Sequence, residues 1–185
     1  PDAVSDRLAV LAEPFAVAAH AVDVGAPGPD DDVCVVGPGA IGLLTVGALA
    51  GRRVSVVGRP ADRAQLERAV ELGAAEVTTD ADAVRGRFDV VFETAGAAEA
   101  VTAATTMLRP GGRLVCVGLP PDDARFSSAQ LSWNEQTIIG SRAYDISTWA
   151  CVPERLAAAP ALESIVTHTV PLTDHVRAFE LVQTR

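Results

Sequence analysis

The sequence predicts an α/β fold, a doubly wound six-stranded parallel sheet with helices on both faces. Three observations predict it. Apolar runs of strand length alternate with helical patterns between residues 31 and 145, which implies parallel strands joined by right-handed crossovers. The run at 89–92 is apolar with little interruption, as in a strand covered on both faces. Gly37, Gly39 and Gly42 stand where the first strand turns into the first helix of the alternating region.

The elements follow in order. Residues 5–24 read as helix, with Ser5 as N-cap before Leu8 and Leu11. Pro14 breaks or restarts it, because proline is tolerated in a first turn. Phe15, Ala18, Ala19 and Val22 then form one apolar stripe. Residues 25–29 are a turn, and Asp30, Asp31 and Asp32 are solvated. The first strand is 33–36 and the next helix 40–50. The second strand is 53–57. A helix over 62–72 turns Leu66, Ala69 and Val70 inward, and Gly73 caps it. The third strand is 76–79 and the fourth 89–92. A helix over 97–108 has Val101, Ala104 and Leu108 in register. Residues 109–112 are a turn, 113–117 the fifth strand, 119–135 polar and irregular, and 137–139 the sixth strand. A helix lies within 147–159, where Pro153 obscures its start. Residues 165–170 read as an extended edge strand. Thr173 caps a last helix carrying Val176, Phe179 and Val182. One domain over 1–185 is expected: entry helices at 1–24, a strand–helix core at 31–145, and C-terminal helices with an edge strand at 146–185.

Composition excludes several chemistries. All 15 basic residues are arginine, so no P-loop lysine, Schiff-base lysine or Tyr-x-x-x-Lys pair exists. The one tyrosine, Tyr144, has Thr148 four residues on. The net charge of −9 argues against a nucleic-acid partner. No apolar run approaches the ~20 residues of a membrane span, and no signal-peptide pattern opens the chain. Cys34, Cys116 and Cys151 are widely spaced and odd in number, so neither a zinc knuckle nor a redox pair is encoded. A cytoplasmic, disulfide-free protein is the expectation. The chain opens on Pro1 and its one methionine is Met107, so a piece of a longer protein is expected.

The glycines carry the functional reading. At G-x-G-x-x-G spacing, Gly37 permits the turn off the strand, Gly39 lets a pyrophosphate approach the backbone, and Gly42 lets helix and sheet pack closely. The helix opening at Ala40 and Ile41, after Pro38, aims backbone N–H groups and its dipole at phosphates. The fold expected is therefore of Rossmann type, with strand order 3-2-1-4-5-6. An NAD site places an acid at the end of the second strand, about 20 residues past the first glycine. Here that place reads Val57-Gly58-Arg59-Pro60. Gly58 makes room, and Arg59, assisted by Arg63, forks onto a 2′-phosphate, which favours NADP with NAD as the alternative.

Five segments, in order, resemble the zinc-dependent medium-chain dehydrogenases, which include alcohol, polyol and threonine dehydrogenases. They are Leu11-Ala12-Glu13-Pro14-Phe15, Val36-Gly37-Pro38-Gly39-Ala40-Ile41-Gly42, Glu71-Leu72-Gly73-Ala74, Leu108-Arg109-Pro110-Gly111-Gly112-Arg113-Leu114-Val115 and Val117-Gly118-Leu119-Pro120. The resemblance implies a cofactor-binding domain whose upstream catalytic zinc domain is absent. It implies an alcohol or carbonyl substrate, a catalytic zinc in the full-length enzyme, and a 2′-phosphate turn akin to the Gly-Ser-Arg-Pro of NADP-linked members. It places Glu93 and Thr94 beside the cofactor, Val117, Gly118 and Leu119 near the nicotinamide ribose, and Ser141, with Arg142, after the sixth strand. Glu13 is either a metal ligand or neighbour, or a carboxylate suited to a helix N-terminus. His20, His168 and His175 lack metal spacing and read as structural, and Trp133 and Trp149 as packing residues. The sixth-strand edge and 165–170 suggest a homo-oligomer at full length. Two other readings stand beside this one. A non-catalytic nucleotide-sensing module would use the same fold, and a methyltransferase would end its second strand in an acid.

Overall fold

The computed structural model describes residues 4–183. Its centre is a sheet of β1 (Val33–Val36), β2 (Val54–Val57), β3 (Glu76–Thr78), β4 (Phe88–Glu93), β5 (Leu108–Cys116) and β6 (Thr137–Gly140). The order is β3-β2-β1-β4-β5-β6 and every pairing is parallel, as expected. The chain runs outward from β1 to β3, then returns to β4 on the other side of β1. The loops leaving β1 and β4 therefore diverge, and a crevice opens between them.

Side-chain alternation divides the interior in two. Val33 and Val35 enter one core with Leu43 and Val46 of α3 (Ala40–Ala48) and Leu66 and Ala69 of α4 (Arg63–Glu71). Cys34 and Val36 enter the other with Val101, Ala104 and Met107 of α5 (Ala98–Met107). β1 and β2 are buried throughout, so β-branched residues suit both of their faces. Burial also pushes the Cys34 thiol far above its ordinary range, which leaves it an inert packing group. A third cluster joins α1 (Asp6–Ala9), α2 (Ala12–Gly25) and α7 (Ile146–Ala157) through Leu8, Phe15, Ala19, Val152 and Leu156.

The entry segment restarts at Val10–Leu11, ahead of Pro14, which falls in the first turn of α2. Ser5 caps α1 by accepting from Leu8 N at 3.1 Å. The expected α2 stripe is buried. Ala16 and Ala21 are buried too, because α2 lies between α3 and α7. At the end of α2, the Arg113 guanidinium donates to Gly25 O at 2.5 Å, Ala26 O at 2.8 Å and Asp31 at 3.1 Å. A cation thus satisfies carbonyls left over at the helix C-terminus. Asp31 is engaged here, and Asp32 pairs with Arg53, so neither is merely solvated.

Other expectations are corrected. Val70 points outward, because Leu66 and Ala69 define the buried face of α4 and Val70 lies about 100° round from it. Residues 109–112 are an irregularity inside β5, where the register jumps from Phe88↔Leu108 to Val90↔Arg113. The segment 119–135 contains α6 (Ser128–Trp133), capped by Ser127 accepting from Gln130 N. Trp133 is 87% exposed, and Trp149 stacks on Tyr144 at 5.4 Å near the surface. Residues 165–170 form no strand: Pro160–Ile165 is a 3₁₀ turn that buries Leu162 against Gly47. Thr173 sits within another 3₁₀ turn, Leu172–Asp174, that leads into α8 (His175–Gln183). Val176, Phe179 and Val182 of α8 are exposed. No helix among the described residues is long and apolar enough to cross a membrane.

α7 follows an Asp145 cap, begins one residue before the expected range and continues through Pro153. Asp145 Oδ1 accepts from Thr148 N and Ser147 Oγ, both at 2.7 Å. These bonds, led by the backbone N–H, lower its carboxyl from 3.8 to about 2. A depressed folded value means that the cap's full contribution is present above the unfolded value and is lost as pH falls toward 2. Asp145→Asn keeps a capping oxygen but cannot titrate. We expect its stability to fall less steeply than wild type between pH 4 and pH 2, measured by urea unfolding. Parallel curves would assign that acid loss to other carboxylates.

Candidate functional site

The crevice beside β1 is a cleft of about 570 Å³ at the carboxyl ends of β1, β2 and β4. Gly37, Pro38 and Gly39 form one wall, Gly58 and Arg59 a second, and Thr94 and Ala95 a third. The glycines have distinct geometry. Gly37 adopts φ +95, and a Cβ there would lie 2.7 Å from the Ala95 backbone. Gly42 lies against the Gly37 carbonyl, where a Cβ would collide with it and approach Thr94 Oγ1 at 2.8 Å. Gly39 is the N-cap of α3, and a Cβ there would meet nothing within 4 Å. Its missing side chain leaves space open toward the cleft.

No side chain caps α3. The N–H groups of Ala40, Ile41 and Gly42 have no intrahelical acceptor, and the helix dipole places partial positive charge there. The cleft thus offers backbone donors and close backbone approach, which suit an anion such as a pyrophosphate. From the neighbouring strand, the Thr94 hydroxyl reaches the carbonyls of Val36 at 2.9 Å and Gly37 at 2.8 Å. It holds the glycine turn in place.

Glu93 lies beneath this surface and is fully buried. Its Oε1 accepts from Ala95 N at 2.8 Å and Gly96 N at 2.9 Å, while Oε2 has no partner. Burial raises its carboxyl above the ordinary range despite those two bonds. The residue orders the loop after β4. That loop meets the loop after β5, where a Cβ on Gly96 would lie 3.2 Å from Leu119 N. Val117 and Gly118 both donate to the Glu93 carbonyl. Leu119 is exposed, and Ser141 is buried with its hydroxyl unpartnered. Val117, Gly118, Leu119 and Ser141 continue the carboxyl edge of the sheet toward β6, outside the cleft lining.

Arg59 lines the cleft, but its side chain pairs with Asp62. Arg63 does not line it and pairs with Glu67 at 3.0 Å in solvent. Gly58 serves packing: a Cβ there would lie 3.0 Å from Pro38 Cγ. Glu13 is exposed in the first turn of α2. Among the described residues, no group of three or more His, Cys, Asp or Glu is placed to hold a metal. Sequence reasoning missed Asp62 and Gln65 after β2, Thr79 just past β3, and Glu99, Ala103 and Met107 on α5, all of which line the cleft. Asp62 had a readable signal, a carboxylate three residues past Arg59 at a helix start. The α5 residues had none, because only the tertiary fold brings them there.

A family model described as glucose dehydrogenase C-terminus matches residues 6–185. L-galactonate-5-dehydrogenase of Escherichia coli K12 is 30% identical over 190 residues, covering 97% of this chain and 56% of that protein. An alcohol dehydrogenase structure from Thermotoga maritima superposes with a TM-score of 0.86 at 27% identity, covering 98% of this chain and 56% of that one. A structure from Sinorhizobium meliloti, described as a zinc-binding dehydrogenase bound to NADP, gives a TM-score of 0.77 at 27% identity, covering 86% and 51%. The chain spans about half the length of the curated relatives it matches.

Proposed function

The chain belongs to the glucose dehydrogenase C-terminus family, and from that premise we propose that it is the cofactor-binding half of an NAD(P)-dependent dehydrogenase of the zinc-type alcohol and polyol class. One observation carries the reading. The uncapped N-terminus of α3 faces a cleft in which Gly39 leaves room for a ligand against the backbone. Ala40 and Ile41 would donate N–H groups to the pyrophosphate, with Thr94 holding their turn. Gly58 and Arg59 would border the adenosine ribose. The nicotinamide would lie toward Val117, Gly118, Leu119 and Ser141 at the carboxyl edge. When bound, the dinucleotide supplies the hydride-accepting chemistry, and this chain orients it.

Among the described residues no group of three or more His, Cys, Asp or Glu side chains is placed to hold a zinc ion, and the part we assign to this chain is to bind and orient the dinucleotide. We place the zinc, the alcohol or carbonyl substrate and the catalytic domain in the remaining length typical of relatives. We also propose that β6, an edge strand, pairs with a second copy at full length. Light scattering on the full-length protein should then give a mass above one subunit, and a monomer would refute that pairing.

The cofactor reading is tested by titrating this chain with NADH and NADPH and following nicotinamide fluorescence. Saturable one-to-one binding that ADP competes away is expected. No saturation at millimolar cofactor would remove the reading.

A further inference from the structure

Arg59 is the one cationic residue that lines the cleft among the described residues, and Asp62 and Glu99 are its anionic ones. Arg59 is already engaged. Its Nε donates to Asp62 Oδ2 and its Nη2 to Asp62 Oδ1, each at 3.1 Å, fork against fork. Asp62 Oδ2 also accepts the Arg59 backbone N–H at 2.8 Å. The Asp62 side chain is 16% exposed and that of Arg59 82%, so the carboxylate is the fixed partner and draws the guanidinium onto itself.

We propose that Asp62 sets the cofactor preference of this cleft, occupying the guanidinium fork that a 2′-phosphate needs and thereby favouring NAD(H). The proposal rests on the dinucleotide reading above. A 2′-phosphate carries about −1.5 to −2 charges at neutral pH. It would enter a cleft lined by two acidic residues and have to displace Asp62 from Arg59. A 2′-hydroxyl adds no charge, and Asp62 retains lone pairs to accept its proton. The same hydrogen bonds from Arg59 hold the Asp62 carboxyl below its usual range. The preference that Arg59 alone suggests in the sequence is therefore reversed by the residue three positions on.

The test is calorimetric titration of this chain with NADH and NADPH, for wild type, Asp62→Asn, and Asp62→Asn combined with Arg59→Ala. Wild type should bind NADH at least as tightly as NADPH. Asp62→Asn keeps an acceptor for the Arg59 N–H and should move the affinity ratio toward NADPH by about tenfold, the scale of one charge-assisted hydrogen bond. Adding Arg59→Ala should abolish the shift. A wild type that prefers NADPH tenfold, an unchanged ratio in Asp62→Asn, or a shift that survives loss of Arg59 would each overturn the proposal. Failure of wild type to bind either cofactor would instead overturn the dinucleotide reading, and this proposal with it.

Discussion

Gly39→Val should abolish dinucleotide binding and leave the fold standing. The backbone at Gly39 has φ −70, which valine adopts without strain, and an added Cβ meets no protein atom within 4 Å. The protein therefore tolerates the side chain. The ligand would not, because the same space is where we propose that a pyrophosphate meets the N–H groups at the α3 N-terminus. Losing two charge-assisted hydrogen bonds of about 1.5–3 kcal/mol each corresponds to at least a hundredfold weaker binding. Stability should change by no more than about 1 kcal/mol, the scale of replacing an N-cap glycine. Calorimetry with NADH and urea unfolding read the two effects separately. Retained affinity, or a collapse in stability, would contradict the assignment.

Gly42→Val should do the reverse and break the fold first. A Cβ there collides with the Gly37 carbonyl and crowds Thr94 Oγ1, which is itself bonded to the carbonyls of Val36 and Gly37. The obstacle is mostly backbone, so no rotamer change relieves it. Overpacking costs about 1–3 kcal/mol and occasionally more, and here α3 must separate from the β1 turn. We expect a loss of about 3 kcal/mol, seen as a lower urea midpoint. An unchanged midpoint would show that α3 and the turn are not packed as described.

The contrast between two glycines three residues apart marks what spacing reveals and what it does not. The G-x-G-x-x-G pattern locates the strand–turn–helix correctly because Gly37 and Gly42 answer local steric demands that no other residue meets. Strand order was legible because strands alternate with helices and the glycine turn follows the first strand, which implies the order that the sheet has. Partners distant in sequence were not legible. Thr94 holds the glycine turn across a separation of 57 residues, and Glu93 anchors the loop beneath the cleft from a fully buried place that its charge does not suggest. α8 shows the limit of pattern reading from the other side. Its apolar stripe is real, but periodicity does not say against what it packs, and in this chain Phe179 and Val182 face outward.

We propose that the N-terminus of α3 grips a dinucleotide. Amide NMR of the isotope-labelled chain during NADH titration tests it most directly. The Gly39, Ala40 and Ile41 amides should shift most, with Thr94 and Ala95 following and α7 unmoved. Saturable binding with those amides unmoved and the largest shifts elsewhere would contradict it.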